Sequence, residues 1–266
     1  MKTRRFFRTA VFCGLLCFLF FFLPAPAQQR PGLSDPRGIS QPSAEEKLLF
    51  DSVNRERAAA GLPPLAWDSA LAAAARQHAL LMAQEGLLSH QYPGESPLSE
   101  RAAHAGAKFS MIAENIARGE DPASIHDGWM HSPGHRKNIL SPDLAAVGIA
   151  TVRGPGGLFA VQDFSRPVAD LTLQQQEERV ISLLKQSGLH AARATDDARK
   201  TCAMTGGYAG HTVLYFIRFE VVDLHQLPEA LLRHIRDQSY QTAAVGACRG
   251  DESAGFTRYR IAVLLE

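Results

Sequence analysis

Cysteine is scarce in this chain and net charge is nearly absent. Four cysteines occur in 266 residues, and two of them, Cys13 and Cys17, fall in the apolar opening stretch. Phe12 and Leu16 precede them and are too bulky for a usual lipoprotein cleavage site, which argues against a lipid anchor. The formal charge is +1. Lys2, Arg4, Arg5 and Arg8 sit in the same opening stretch, and without them the rest of the chain stands at −3. That balance gives no polyanion-binding signal and disfavours nucleic acid as a partner. Internal repeats and long low-complexity tracts are also missing. No serine or cysteine stands in a recognisable nucleophile motif, which removes the usual covalent hydrolases.

The opening itself, MKTRRFFRTAVFCGLLCFLFFFLPAPAQQ, reads as a secretory signal. A basic end leads into an apolar run from Val11 to Leu23, and Ala25-Pro26-Ala27 forms a small-x-small cleavage site before Gln28. The rival reading is a retained anchor, but the run is short against the ~20 residues a membrane span needs. The expectation is therefore a signal over 1–27, a secreted, periplasmic or envelope-bound protein, and no stable membrane span after cleavage. Cys202 and Cys248 are then the remaining pair. An even pair in an exported chain favours a disulfide, worth roughly 4 kcal/mol in the chain-entropy picture. Two separate buried thiols are the other reading.

Residues 28–42 are rich in Pro, Gly, Ser and Arg and predict a flexible linker. Ser43 and Glu46 form a capping box for a helix to about Ala60. Asp68 caps a second helix that ends at Glu85 before Gly86; His78 lies on its apolar stripe as a structural, buried histidine. A short helix near Leu98 to Ala105, an extended piece from Lys108 to Ile112 and a helix from Asp121-Pro122 to His131 follow. Ala146 to Val152 and Leu158 to Phe164 alternate as paired strands around RGPGG. After Pro167 the pattern restarts: helix Leu173–Gln186, strand His211–Val222, helix Pro228–Arg236, then strands Thr242–Ala247 and Thr257–Leu265. The expected organisation is a first domain over 43–167 and a small α+β domain over 168–266.

By position, His90, Glu114, His131 and His135 are displayed at the ends of elements, where convergent polar groups tend to sit. Two imidazoles and a carboxylate suit Zn²⁺ or another borderline divalent ion, or acid–base work without metal. Spacing alone is weak support, because 45 residues separate His90 from His135.

The ordered motifs VNRERAAAGLPPLAWDSALAAAARQHALLMAQEGLLSH, AENIARG, WMHSPGHRKNIL, AAVGIA and VQDF resemble the CAP superfamily of cysteine-rich secretory proteins, antigen 5 and pathogenesis-related proteins, in its bacterial branch. The resemblance covers about Ser43 to Ser165. It implies an α-β-α sandwich and a shallow cleft of two histidines and two acids. Those positions fall on His90, Glu114 and His135, with His90 and His135 as the metal pair. The second acid of many members falls on Ser132, whose hydroxyl is neutral and replaces no carboxylate. His131 and Asp127 lie nearby in sequence as candidate compensation, although His131 matches no ligand position. Gln162 is the buried amide expected to face the cleft. Trp67 and Trp129 are expected core anchors, and Asn54 and Arg55 are expected to tie helix ends to loops.

Three functional readings compete, and the first is favoured. The chain is an extracytoplasmic binding module whose cleft holds a divalent metal such as zinc, a small ligand or an envelope component. Alternatively it is a metal-dependent hydrolase or peptidase using His90, His135 and Glu114, a reading weakened by Ser132. The third reading is a structural or adhesive envelope protein with recognition in the C-terminal domain, for which no family is apparent.

Overall fold

The computed structural model describes residues 41–211, 213–237, 240–250 and 255–266. The expected signal and nearly all of the expected linker lie outside the described residues. Two four-stranded sheets organise the chain.

The first sheet belongs to α1 (Ala44–Ala59), β1 (Ala66–Trp67), α2 (Ser69–Glu85), α3 (Leu98–His104), β2 (Phe109–Gly119), α4 (Pro122–His131), α5 (Pro133–Ile139), β3 (Ala146–Gly154) and β4 (Gly157–Pro167). Its helices start where local chemistry dictates. Ser43 and Glu46 close the capping box on α1, and Asp68 accepts from the amides of Ala70 and Leu71 at the start of α2. Gly86 ends α2 at φ 69°, a left-handed conformation that glycine adopts without a Cβ penalty. One face of the sheet packs Val147, Ile149, Leu158, Ala160 and Phe164 against Leu49 and Val53 of α1 and Ile125 and Trp129 of α4. The other face packs Ile116, Phe159 and Val161 against Ala75, Ala79 and Met82 of α2. Helices on both faces make the expected α-β-α sandwich. The tie between α1 and the loops comes from Asn54, which pairs with both backbone groups of Leu65, and from Arg57 rather than Arg55. Arg57 is buried and donates to the carbonyls of Pro63, Ile139, Ser141 and Leu144.

The second sheet belongs to α6 (Leu173–Gln186), β5 (Ala191–Ala194), α7 (Asp196–Ala203), β6 (Tyr215–Val221), α8 (Glu229–Asp237), β7 (Thr242–Cys248) and β8 (Tyr259–Leu265). Two of these elements are additions to the sequence reading. β5 and α7 carry almost no apolar periodicity, since α7 buries only Ala198, Thr201 and Cys202. β6 begins at Tyr215 and not at His211, so the expected strand was too long at its start. Cys202 on α7 and Cys248 at the end of β7 form a disulfide, with Cα atoms 5.8 Å apart.

The sequence shows no internal repeat, yet the two sheets repeat one topology. Strand order is β1-β3-β4-β2 in the first and β5-β7-β8-β6 in the second. In each, the first pairing is parallel and the other two are antiparallel. Helix placement also repeats: α6 and α8 cover one face of the second sheet with Val180, Leu184 and Leu231, while Ala198 of α7 packs on the other. The correspondence reaches single hydrogen bonds. Asp68 N–H donates to the Val147 carbonyl at 3.0 Å, and Thr195 N–H donates to the Val245 carbonyl at 3.1 Å. Both are helix N-caps, and in both strands the next residue is a glycine, Gly148 or Gly246. A buried glutamate on the first helix repeats as well: Glu46 accepts from Thr151 N–H and Arg76, and Glu177 accepts from Ala247 N–H and Arg199.

The two glycines let α2 and α7 lie directly on their strands. A Cβ on Gly148 would stand 2.0 Å from the Ala72 amide nitrogen, and one on Gly246 would stand 2.2 Å from that of Arg199. Gly148→Ala and Gly246→Ala are therefore each expected to lose about 3 kcal/mol through overpacking. Gly134→Ala, where nothing lies within 4 Å, should change stability by less than about 1 kcal/mol. Urea unfolding of the three variants measures this, and a Gly148→Ala protein as stable as wild type would refute the close helix–strand contact.

Candidate functional site

Glu114 lies in the middle of β2, not after an extended segment as the sequence reading had it. The strand continues past Ile112 because AENIARG pairs residue by residue with β4, Glu114 opposite Asp163 and Asn115 opposite Gln162. Two consecutive buried polar residues break the apolar alternation that marks a strand. The Glu114 side chain is 3% exposed, and both of its carboxylate oxygens are engaged. His90 Nδ1 lies 2.7 Å from Oε1, and Arg101 Nη2 donates to Oε2 at 2.5 Å.

The loop that carries His90 is fixed from beneath. His78 is fully buried, as expected, with Nδ1 2.7 Å from Glu95 and Nε2 2.8 Å from the Ser89 carbonyl. Arg101 from α3 donates to the His90 carbonyl at 3.1 Å and lies 3.4 Å from Glu95. The His90 side chain stays 61% exposed above this base. With Nδ1–H directed at a carboxylate, the free lone pair of the neutral ring sits on Nε2. Sequence reading missed Arg101, Glu95 and the role of His78, because nothing in the local pattern marks a buried arginine.

His135 arrives from the other side. Pro133 opens α5 at a position where its missing N–H costs nothing, so PGHRKNI forms a new short helix. Asn138 fastens that helix to the same stretch of β2, donating to the Glu114 carbonyl at 3.2 Å and to Asn115 Oδ1 at 2.9 Å. Asn115 in turn donates to the His135 carbonyl at 3.2 Å. The half-buried His135 ring has no hydrogen-bond partner among the described residues. The hydrogen bond that His90 donates to the Glu114 carboxylate raises the His90 pKa above the ordinary histidine value, outweighing partial burial. Burial lowers that of His135, and the nearby His90 charge lowers it further. The two rings are thus close enough to sense each other's charge.

The remaining candidates fall around this centre. Ser132 bridges α4 and α5, and its side chain makes no cap hydrogen bond. Gln162 is fully buried and accepts from Asn115 at 3.2 Å. As the neighbour of Asp163 along β4, it faces the opposite side of the sheet from the Glu114–Asp163 pair. His131 is exposed and bonded to the Asp127 carbonyl at 2.9 Å, at the end of α4. Trp129 is a core anchor with its indole N–H on the Ile116 carbonyl, while Trp67 is half-buried edge-on to Phe50. Among the described residues, no group of three or more His, Cys, Asp or Glu side chains is placed to hold a metal ion.

Residues 50–164, which carry all of these groups, match the cysteine-rich secretory protein family, CAP. The first unit of this chain belongs to the CAP family. "Uncharacterized protein YkwD" of Bacillus subtilis is 33% identical over 139 residues, 52% of this chain and 54% of that protein. "Uncharacterized membrane protein YlbC" of the same organism is 31% identical over 123 residues, 46% of this chain and 35% of that protein. A solved extracellular protein containing an SCP domain, from Bacillus anthracis, is 32% identical and covers 46% of this chain and 40% of that one, with a TM-score of 0.42. The chain therefore spans about half or less of the length of these relatives. The secretory family and the disulfide, a bond of oxidising compartments, agree: this is a secreted or cell-envelope CAP-domain protein. Among the described residues no helix is long and apolar enough to cross a membrane.

The pairing of His90 with Glu114 makes an electrostatic prediction. In an NMR titration, His90 is expected to titrate above, and His135 below, the ordinary histidine value of about 6.5. The His90–Glu114 pair then adds stability that is present below that value and is lost as pH rises through the raised one. Glu114→Gln should bring His90 back toward the ordinary value, and an unmoved His90 titration would contradict the pairing.

Proposed function

We propose that the chain is an extracytoplasmic binding module whose CAP cleft presents His90 and His135 to a divalent ion such as Zn²⁺, through which a small ligand or envelope component is held. The observation that carries this reading is the Glu114 carboxylate bound to His90 Nδ1. A carboxylate on one ring nitrogen fixes the tautomer and leaves the other nitrogen basic and oriented, the arrangement that supports metal-bound imidazoles. His135 fits the same purpose, since its lowered pKa keeps the ring neutral at neutral pH, the form that ligates. Two imidazoles suit borderline ions and leave positions open for a ligand's own oxygen or nitrogen. When bound, the ion supplies Lewis-acid charge at the cleft. Glu114 itself is a support for His90, not a ligand.

The hydrolase reading draws less support. A water-activating base needs a free carboxylate oxygen, and both oxygens of Glu114 are taken by His90 and Arg101. Ser132 has no charge to offer in its place. No observation favours adhesion through the second unit over binding in the first.

Calorimetry with Zn²⁺ on the full chain tests the proposal. The His90→Ala/His135→Ala double variant is expected to bind at least tenfold more weakly, and Glu114→Gln about tenfold more weakly through loss of the supporting carboxylate. Zinc binding that is unchanged in the double variant would refute the two-histidine site.

A further inference from the structure

Asp163 on β4 is fully buried, and neither of its carboxylate oxygens has a hydrogen-bond donor among the described residues. An ionised carboxylate in that position pays a large desolvation penalty with nothing to offset it. Asp163 stands directly opposite Glu114 on β2 and opposite Gly148 on β3. Cross-strand neighbours share a face, so the two carboxyl groups meet side by side. The charged groups around them are Glu114, Arg101 of α3 and Glu95 of the preceding loop, with His78 of α2 on the far side of Glu114. Burial first, and the Glu114 charge second, hold the Asp163 carboxyl well above the usual carboxylate range, against the opposing pull of Arg101. As a neutral acid, Asp163 ceases to need a donor and becomes one, and the Glu114 side chain is within hydrogen-bond reach.

The second unit supplies an internal control. Gly246 corresponds to Gly148 by its place after the strand residue that accepts from the helix N-cap. Its partner on β8 is Ala262, and the partner of Ala262 on β6 is Arg218. Asp163 and Glu114 therefore correspond to Ala262 and Arg218. Ala262 is fully buried in an intact sheet of the same order, so the scaffold has no need of a carboxyl at this point. The buried acid of the first unit serves something other than the fold.

We infer that Asp163 is a positioning residue of the CAP cleft, a buried carboxylic acid that keeps its proton and donates it to Glu114. The inference rests on the reading of Glu114 as the support of His90. Glu114 then holds one negative charge shared among three donors, the His90 ring, the Arg101 guanidinium and the Asp163 hydroxyl. The pair of carboxyls thereby presents a single anion, fixed in direction, beneath the histidine.

Asp163→Asn and Asp163→Ala in the full chain test this. Asparagine keeps a donor toward Glu114 without a titrating proton; alanine, the residue of the second unit, removes the donor. A folded-state pKa raised above the unfolded value makes wild-type stability fall as pH rises above the ordinary aspartate value of about 3.9. Asp163→Asn is thus expected to gain in urea midpoint relative to wild type between pH 4 and pH 7. Carbon-13 carboxyl NMR should find a protonated aspartate at pH 7 in wild type that both variants lack. Zinc affinity should stay within twofold in Asp163→Asn and fall at least threefold in a folded Asp163→Ala. An ionised Asp163 resonance at pH 7, or a stability difference that does not vary with pH, overturns the retained proton. Zinc affinity unchanged in Asp163→Ala overturns the positioning role. Should wild type itself bind no zinc, the metal reading falls, and the resonance with the pH-dependent midpoint still decides whether Asp163 keeps its proton.

Discussion

A buried carboxylate must be paired, and the first unit of this protein is assembled around that requirement at Glu114. The side chain takes hold of His90 and Arg101, while the backbone carbonyl of the same residue receives Asn138. Three segments, the loop after α2, helix α3 that follows it and the more distant helix α5, converge on one residue of β2. The positions of His90 and His135 follow. His90 is held by its ring and by Arg101 beneath its backbone, and His135 is held through the helix that Asn138 and Asn115 fasten down. Removing the carboxylate would leave the buried Arg101 charge with Glu95 alone, as well as releasing the histidine.

The repeated topology separates scaffold from site. Both units share strand order, pairing sense, helix placement, the capped helix start and the glycine beneath it. Among the described residues, the pieces found only in the first are α3 and α5, which deliver Arg101 and His135. In the second unit, Arg218 stands at the ladder position of Glu114 and donates to the carbonyls of Thr201 and Gly207, which pins a loop. The polar cluster of the first unit is therefore an addition that the second sheet, of the same strand order, does without.

The sequence made α1, α2 and α4 legible because their signals are local: Ser43 with Glu46, Asp68, Gly86 and Asp121-Pro122 each act within one turn, whereas the short α5 was not expected. The paired strands β3 and β4 were legible by alternation. β2 was cut short at Ile112 because Glu114 and Asn115 are buried polar neighbours, and only the long-range ladder to β4 explains them. α7 was missed because its buried face is Ala198, Thr201 and Cys202, small residues without an apolar stripe, although Thr195 followed by Asp196 and Asp197 is a helix-start signal. The histidines and Glu114 came from motif resemblance. Arg101, Asp163 and the shared topology lay in the pairing of distant segments, where a single sequence carries no local mark.

The central claim is that Glu114 supports His90 from behind while His90 and His135 face the ion. A crystal of the full chain soaked in zinc, with anomalous scattering recorded at the zinc edge, tests it most directly. The account predicts an anomalous peak between His90 Nε2 and the His135 ring, with Glu114 still bonded to His90 Nδ1. A peak coordinated by the Glu114 carboxylate, or zinc bound elsewhere with this pair empty, would contradict it.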